Sequence, residues 1–342
     1  MEEAPRPKKR HLLLAFAVLL LPFVLAGCAE STSPQAWFGR PESDFARILQ
    51  GLFDRIILIA TIVFVVVEGI LFVALFRFRR RPGQELPSQT HGNTRLEIGW
   101  TIAPAVALAF VAVPTVRAIF ETYHPDTTNT IKVQVIGHQW WWEFRYPDLG
   151  IVTANEPHFP VGQKATLTIQ SADVIHGFWI PGLGGKRDAI PTRVNELWWT
   201  PEKTGEYYGQ CTQLCATSHA NMRIRAFVDD QNGWNAWVNA MKTANGSQPA
   251  PDVQRGYQLF TTNACVGCHT IQGTPANGMV GPNLTRFGAR TTFGAGIYEN
   301  TQENVTDWIL DPQHAKPGNL MPNLHLKPED ASAIAAYLRS MK

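Results

Sequence analysis

One short segment, CTQLCATSHANM, concentrates side chains that bind soft and borderline metal ions. It contains Cys211, Cys215, His219 and Met222, and His176 lies upstream, directly after an apolar run of strand type. Thiolate, imidazole and thioether ligands together favour copper. Two shared thiolates can bridge two metal ions and leave one histidine for each. Two cysteines and two histidines also satisfy tetrahedral zinc, so the spacing alone leaves a structural zinc site open.

A second group of metal-binding residues stands in the pentapeptide CVGCH, which comprises Cys265, Cys268 and His269. C-x-x-C-H is the attachment motif of c-type haem. The two thiols bond covalently to the haem vinyl groups, and the histidine becomes the proximal iron ligand. A redox-active dithiol is the alternative interpretation of this spacing.

The sixth iron ligand is predicted to be Met321, because its sequence GNLMPN resembles the ligand loop of cytochromes c. His314 and His325 are the remaining competitors. Met279, beside a Gly-Pro pair, resembles instead the loop that supports the proximal histidine. A Met/His pair raises the haem potential, which suits electron delivery to a high-potential acceptor.

The composition describes a folded chain with a large apolar fraction. Its 342 residues are 45% hydrophobic and 17% charged, with a formal net charge of +2. This balance favours no nucleic acid partner, and the high hydrophobicity argues against disorder. Five cysteines in a chain of this length exclude a disulfide framework. The length allows two compact domains and some membrane-embedded chain.

Two apolar runs, Ile56 to Phe76 and Ile98 to Val116, have the length of membrane helices and predict a transmembrane hairpin over residues 45–120. The connection 77–95 is rich in arginine, so the positive-inside rule places it in the cytoplasm. Glu68 lies inside the first run. It predicts either a proton relay or a hydrogen-bonded carboxyl group packed against a partner subunit.

The N-terminus has the pattern of an export signal. Residues 1–27 combine a basic start with a short apolar run, which predicts a signal peptide. The sequence Leu-Ala-Gly-Cys that ends at Cys28 resembles a bacterial lipoprotein box and implies a lipid anchor on that thiol. A plain signal peptide with an incidental cysteine is the alternative. The chain is therefore expected at the bacterial cell (inner) membrane, with residues 120–342 on the extracytoplasmic side.

The rest of the chain divides into three parts. Residues 121–240 contain short β-type runs between turn signals, which predict an antiparallel sandwich or barrel. Residues 241–251 have the composition of a linker. Residues 252–342 have helical patterns on both sides of CVGCH and predict an all-α c-type cytochrome domain.

The loop Cys-x3-Cys-x3-His-x2-Met, with Asp-Val-Ile-His upstream, resembles the dinuclear copper (CuA) site of cytochrome c oxidase subunit II. The resemblance extends over roughly residues 45–342 and implies a cupredoxin-like all-β sandwich. It also implies a copper ligand set in this chain: His176, Cys211, the main-chain carbonyl of Gln213, Cys215, His219 and Met222.

Three further positions follow from the same resemblance. The run GHQWWWEF matches the family's aromatic signature and implies that Trp140 is the electron entry residue, with core packing as the alternative. The run EIGWTIAP implies that Glu97 lies at the mouth of a proton channel, and a carboxylate at a helix N-terminus is equally compatible with it. Gln213 replaces a common glutamate, which makes a magnesium site at the subunit I interface doubtful.

The resemblance implies an electron route from an upstream cytochrome or quinol–cytochrome reductase to haem c, to copper, and then to oxidase subunit I among the other oxidase subunits. Subunit I would reduce oxygen to water and pump protons. Fusion would replace diffusional docking by a tethered donor at high effective concentration. A related nitric oxide reductase subunit and a non-enzymatic copper carrier are the alternatives.

Overall fold

The computed structural model describes most of the chain after its N-terminal segment. The described residues are 40–79, 82–83, 85, 89, 91–123 and 128–342. The predicted signal peptide of residues 1–27 and the predicted lipid anchor at Cys28 lie outside them.

Two long helices form the membrane part: α1 covers Asp44–Arg77 and α2 covers Thr94–Tyr123. Both are long and apolar enough to cross a membrane. Most of their large apolar side chains are exposed, as expected for surfaces that face lipid or a partner. The Ser43 hydroxyl caps α1 by accepting a hydrogen bond from the Ala46 N–H at 3.0 Å. The predicted pair of apolar helices is confirmed.

The first turn of α1 is built into the β domain. The Ser43 hydroxyl donates to the Leu183 carbonyl at 2.6 Å, and the Asp44 carboxylate accepts from the Thr200 N–H at 2.7 Å. Phe45 is 3% exposed, and its ring packs edge-on against Trp198 with 5.2 Å between centroids. The membrane helix and the β domain therefore share one core.

Ten strands form two facing five-stranded sheets, with orders β3-β2-β1-β5-β8 and β4-β10-β9-β6-β7. The strands are β1 Ile131–His138, β2 Trp141–Tyr146, β3 Ile151–Ala154, β4 His158–Pro160, β5 Ala165–Ser171, β6 His176–Trp179, β7 Arg187–Ala189, β8 Asn195–Trp199, β9 Gly205–Cys211 and β10 Arg223–Asp229. The sandwich is confirmed, but β1 pairs with β5, and β10 with β4, in parallel. The predicted antiparallel pairing is therefore correct for the other strand pairs of the sandwich and wrong for these two.

Aromatic side chains fill the space between the two sheets. Trp142, Phe144, Phe178 and Trp199 are fully buried, and Trp142 meets Phe178 edge-on at 5.3 Å between centroids. Such rings bury large apolar areas and give the sandwich a core of its own. Helix α3, Gln231–Thr243, closes one end of the sandwich and continues three residues into the predicted linker.

The C-terminal region is helical around a small two-stranded ribbon. Its elements are α4 Gln254–Thr262, α5 Cys265–Cys268, β11 Thr292–Phe293, β12 Tyr298–Glu299, α6 Gln302–Leu310, α7 Pro312–Ala315 and α8 Pro328–Ser340. Helices α4 and α8 touch at Gly256, where an added Cβ would lie 2.0 Å from the Ala333 carbonyl oxygen. The Tyr337 hydroxyl donates to the Gly246 carbonyl at 2.8 Å, so the linker is bonded to this region.

Candidate metal centre and haem cavity

Sheet pairing assembles the candidate metal centre. His176 begins β6 and Cys211 ends β9, and these two antiparallel strands are neighbours. The chain then loops through Cys215 and His219 before β10 begins. The Cys211 N–H donates to the Met222 carbonyl at 2.9 Å and closes that loop at its base. Residues distant in sequence therefore meet at one edge of the sandwich.

The sulfur and imidazole atoms lie close together. The Cys211 and Cys215 Sγ atoms are 3.8 Å apart. His176 Nδ1 lies 4.0 Å from the Cys211 sulfur, and His219 Nδ1 lies 3.6 Å from the Cys215 sulfur. Ligand atoms of His176, Cys211 and Cys215 all lie within 4.8 Å of one another. One histidine therefore stands beside each thiol.

Two weaker donors belong to the same loop. The Gln213 carbonyl oxygen lies 3.3 Å from the Cys211 sulfur, within reach of a shared ion. Met222 is fully buried at the end of the loop. Two sulfurs, two imidazoles, a carbonyl and a thioether fit a pair of copper ions that share the thiolates.

Hydrogen bonds orient the His176 ring and favour the thiolate form of Cys211. His176 Nε2 bonds the Asp173 carboxylate at 2.7 Å, which leaves Nδ1 directed to the thiol. Burial acts to raise the pKa of Cys211, but hydrogen bonding, chiefly with His176, outweighs it and lowers the pKa to about 7. Burial, and then the charge of Cys211, raise the pKa of Cys215 to about 12. A first thiolate therefore disfavours a second one, and a bound cation would stabilise both.

The second candidate site is a cavity in the C-terminal region. Cys265, Cys268, His269 and Met321 all line it, together with apolar residues of α4, α6 and α8. His269 Nδ1 donates to the Pro282 carbonyl at 2.8 Å, so Nε2 remains for iron. The cavity therefore holds the attachment thiols and both predicted axial ligands, which fits a covalently bound haem.

Specific contacts surround the two predicted axial ligands. At Gly281 an added Cβ would lie 2.6 Å from the His269 ring, so only glycine permits this approach. Trp308 Nε1 donates to the Met321 sulfur at 3.1 Å and orients the thioether. The competitors His314 and His325 are not among the residues that line the cavity, and the Met279 side chain is 79% exposed. Met321 is the predicted sixth ligand that the fold brings to the cavity.

The β domain closes part of the cavity with Gln139, Trp140 and Trp141. Trp140 is 6% exposed, and its Nε1 donates to the Cys215 carbonyl at 2.7 Å. Trp140 lies in the turn before β2, while Trp142 packs inside the sandwich. Trp140 therefore connects the cavity lining to the loop of residues 211–222, which we call the copper loop.

Glu68 and Glu97, the two acidic residues of the membrane helices with a predicted role, are at least partly exposed. Glu97 is exposed in the first turn of α2 and accepts from the Asn93 N–H at 3.1 Å, as a carboxylate near a helix N-terminus does. Glu68 is partly exposed in α1. This contact matches the interpretation of Glu97 as a carboxylate at a helix N-terminus, and its position at a proton channel stays a prediction.

The sequence did not identify three residues that line the cavity. Trp141 stacks on His138, with 4.2 Å between centroids. Arg290 is a cavity-lining cation whose pKa burial lowers to about 10. Lys316 also lines the cavity and is 3% exposed. No motif marks Arg290 or Lys316, whereas a tryptophan triplet at least indicates Trp141.

Comparisons with known proteins agree with this layout. The family model described as cytochrome c oxidase subunit II, transmembrane domain, matches residues 31–118. The model of the periplasmic domain of the same subunit matches residues 151–228, and the cytochrome c model matches residues 253–342.

Curated relatives match over most of the chain. Cytochrome c oxidase subunit 2 of Alkalihalophilus pseudofirmus is 40% identical over 86% of this chain and 88% of its own length. The subunit 2 of Bacillus subtilis is 32% identical over 97% of this chain and 98% of its own length. Since both matches include the membrane, β and cytochrome regions, the chain belongs to the cytochrome c oxidase subunit II family and has a cytochrome c region at its C-terminus.

Proposed function

We propose that this oxidase subunit passes electrons from a covalently bound haem c to a dinuclear copper (CuA) centre and then to the catalytic subunit I, which reduces oxygen to water with proton pumping. The observation that carries the proposal is the position of Trp140. Trp140 lines the haem cavity, and its Nε1–H donates to the Cys215 carbonyl of the copper loop.

Each group would be held by residues that the fold has already brought together. Cys265 and Cys268 would attach the haem, with His269 and Met321 as axial ligands. The copper ions would be held by His176, Cys211, the Gln213 carbonyl, Cys215, His219 and Met222. When bound, the haem and the copper pair accept and release single electrons.

The chain's own residues position these groups and exclude water. Trp140 fills the boundary between the two sites, so electrons would cross packed protein rather than solvent. Asp173 holds the His176 ring in the orientation that presents Nδ1 to the copper site. The Pro282 carbonyl does the same for His269 and leaves Nε2 for iron.

The cellular arrangement extends the same proposal. The chain is a membrane protein with an extracellular domain, and we assign it to the bacterial cell membrane with a lipid anchor at Cys28. An upstream cytochrome or quinol–cytochrome reductase would reduce the haem. Glu97, exposed at the start of α2, would face subunit I at the entrance of a proton path.

The test is single-turnover electron transfer in the assembled oxidase, after photoreduction of the haem. Trp140→Phe removes the Nε1 donor and should slow haem-to-copper transfer about tenfold or more, while both absorption spectra are retained. Trp141→Phe is the matched control, because it lines the same cavity but stacks on His138. Equal rates for the two variants and the wild type would contradict the route through Trp140.

A further inference from the structure

The boundary between the β domain and the cytochrome region contains a buried lysine. Lys316 follows α7 and is 3% exposed. Its Nζ donates to the Trp140 carbonyl at 2.6 Å and to the Gly294 carbonyl at 3.0 Å. The first acceptor belongs to the β domain and the second to the cytochrome region. One side-chain nitrogen therefore joins the two parts at the proposed electron entry residue.

The residues after Lys316 continue this contact. The Ser218 hydroxyl of the copper loop donates to the Pro317 carbonyl at 2.6 Å. Gly318 has φ +80°, and a Cβ there would lie 3.0 Å from Cη2 of Trp140. The segment 316–318 thus holds both the main chain and the ring of Trp140. Met321 follows it closely and lines the haem cavity.

A buried carboxylate of the β domain accepts hydrogen bonds from the cytochrome region at the same boundary. Glu156, between β3 and β4, is 4% exposed. Its two oxygens accept hydrogen bonds from the N–H and hydroxyl groups of Thr291 and Thr292 at 2.6 to 3.0 Å. Each part therefore places one buried polar side chain against hydrogen-bonding groups of the other. Separation would break these bonds, so the contact resists opening.

We propose that Lys316 is a positioning residue for haem-to-copper electron transfer, which it serves by fixing Trp140 against the wall of the haem cavity. Glu156 is the second fixed point of the same boundary. The haem region is then a permanently docked donor, and transfer does not wait for a tethered domain to find its partner surface. This inference rests on the proposed function and adds the two residues that fix the position of the haem region relative to the copper loop.

The test uses the full chain in the assembled oxidase and again measures haem-to-copper transfer after photoreduction. Lys316→Met removes the donors but retains an unbranched apolar side chain. We expect the rate to fall about tenfold or more, with both absorption spectra unchanged. Lys327→Met is the matched control, since Lys327 is exposed at the start of α8 and should leave the rate unchanged.

Solvent viscosity separates positioning from simple damage. Transfer between fixed partners is insensitive to added glycerol, whereas transfer that waits for domain motion slows with it. We expect glycerol to slow Lys316→Met but not the wild type. A variant with wild-type rate and no glycerol dependence overturns the positioning role. If Lys316→Met loses a cofactor, Glu156→Gln is measured instead. A wild-type rate and a wild-type response to glycerol in Glu156→Gln would overturn the docked boundary. A wild type without haem-to-copper transfer would instead refute the proposed function.

Discussion

The copper loop and the haem cavity meet at Trp140 but are supported in different ways. The predicted copper ligands lie at the ends of paired strands and in the loop between them, beside a sandwich core in which Trp142, Phe178 and Trp199 are fully buried. The haem cavity instead lies between the main helices of the small C-terminal region and is closed on one side by Gln139, Trp140 and Trp141 of the β domain. We therefore expect the sandwich to have a core independent of a bound metal, and the cytochrome region to use a bound haem as part of its core.

The largest expected effect tests this difference directly. The double change Cys265→Ala and Cys268→Ala should abolish covalent haem and remove the thermal unfolding transition of the cytochrome region. Its cavity walls, which include Phe260, Ile334 and Leu338, lose the surface that they pack against. Haem staining and calorimetry of the full chain provide the measurement.

The matched change on the copper side is Cys215→Ser. It should abolish the mixed-valence copper spectrum and leave the haem attached. The sandwich transition should shift by only about 4 to 8 °C, as for a loss of about 1 kcal/mol. Collapse of the sandwich after copper loss, or a stable cytochrome region after haem loss, would contradict the comparison.

An intermediate effect concerns the strength of ligation within the haem cavity. Met321→Ala should leave the haem attached but lower its midpoint potential on the order of 0.1 V, because the thioether ligand is lost. His325→Ala is the control, since His325 does not line the cavity. Redox titration checks both variants, and an unchanged potential in Met321→Ala would move the axial ligand elsewhere.

The smallest expected effect lies at the edge of the copper loop. The Gln213 amide donates to both oxygens of the Asp188 carboxylate, at 3.1 and 3.2 Å, so this carboxylate is satisfied without an ion. Gln213→Glu would place two carboxylates together and favour a divalent cation between them. The copper spectrum should stay nearly unchanged, because the main-chain carbonyl remains.

Metal analysis of the assembled complex measures this effect as a rise in retained magnesium or manganese. Adding Asp188→Asn to Gln213→Glu should reverse the gain, since one carboxylate is removed. If retention does not rise, the side chain at this position has no part in a magnesium site.

The sequence predicted the parts of the sites that are local. Cys265, Cys268 and His269 are adjacent in the chain, so their motif alone indicates the chemistry. His176 reaches Cys211 only through pairing of β6 with β9, and the resemblance to a known family, not the spacing, indicated that contact. Their roles as ligands stay predictions until metal and haem binding are measured.

Contacts between domains were beyond sequence reasoning. Lys316 and Glu156 carry no motif, and their partners are main-chain or hydroxyl groups that any sequence offers. The predicted direction of two strand pairs was wrong for a related reason. The β-type runs identify β1 and β5 but contain no information on which strands become neighbours or in which direction.

Helix α1 has a mechanical consequence for the whole subunit. Its 34 residues measure about 51 Å at ~1.5 Å per residue, whereas a hydrocarbon core is about 30 Å thick. An untilted helix of this length would extend about 20 Å beyond the lipid. Its first turn is fixed inside the sandwich through Ser43 and Phe45. The helix continues from the membrane into the β domain without a loop, so helix length sets the height of the copper loop above the membrane.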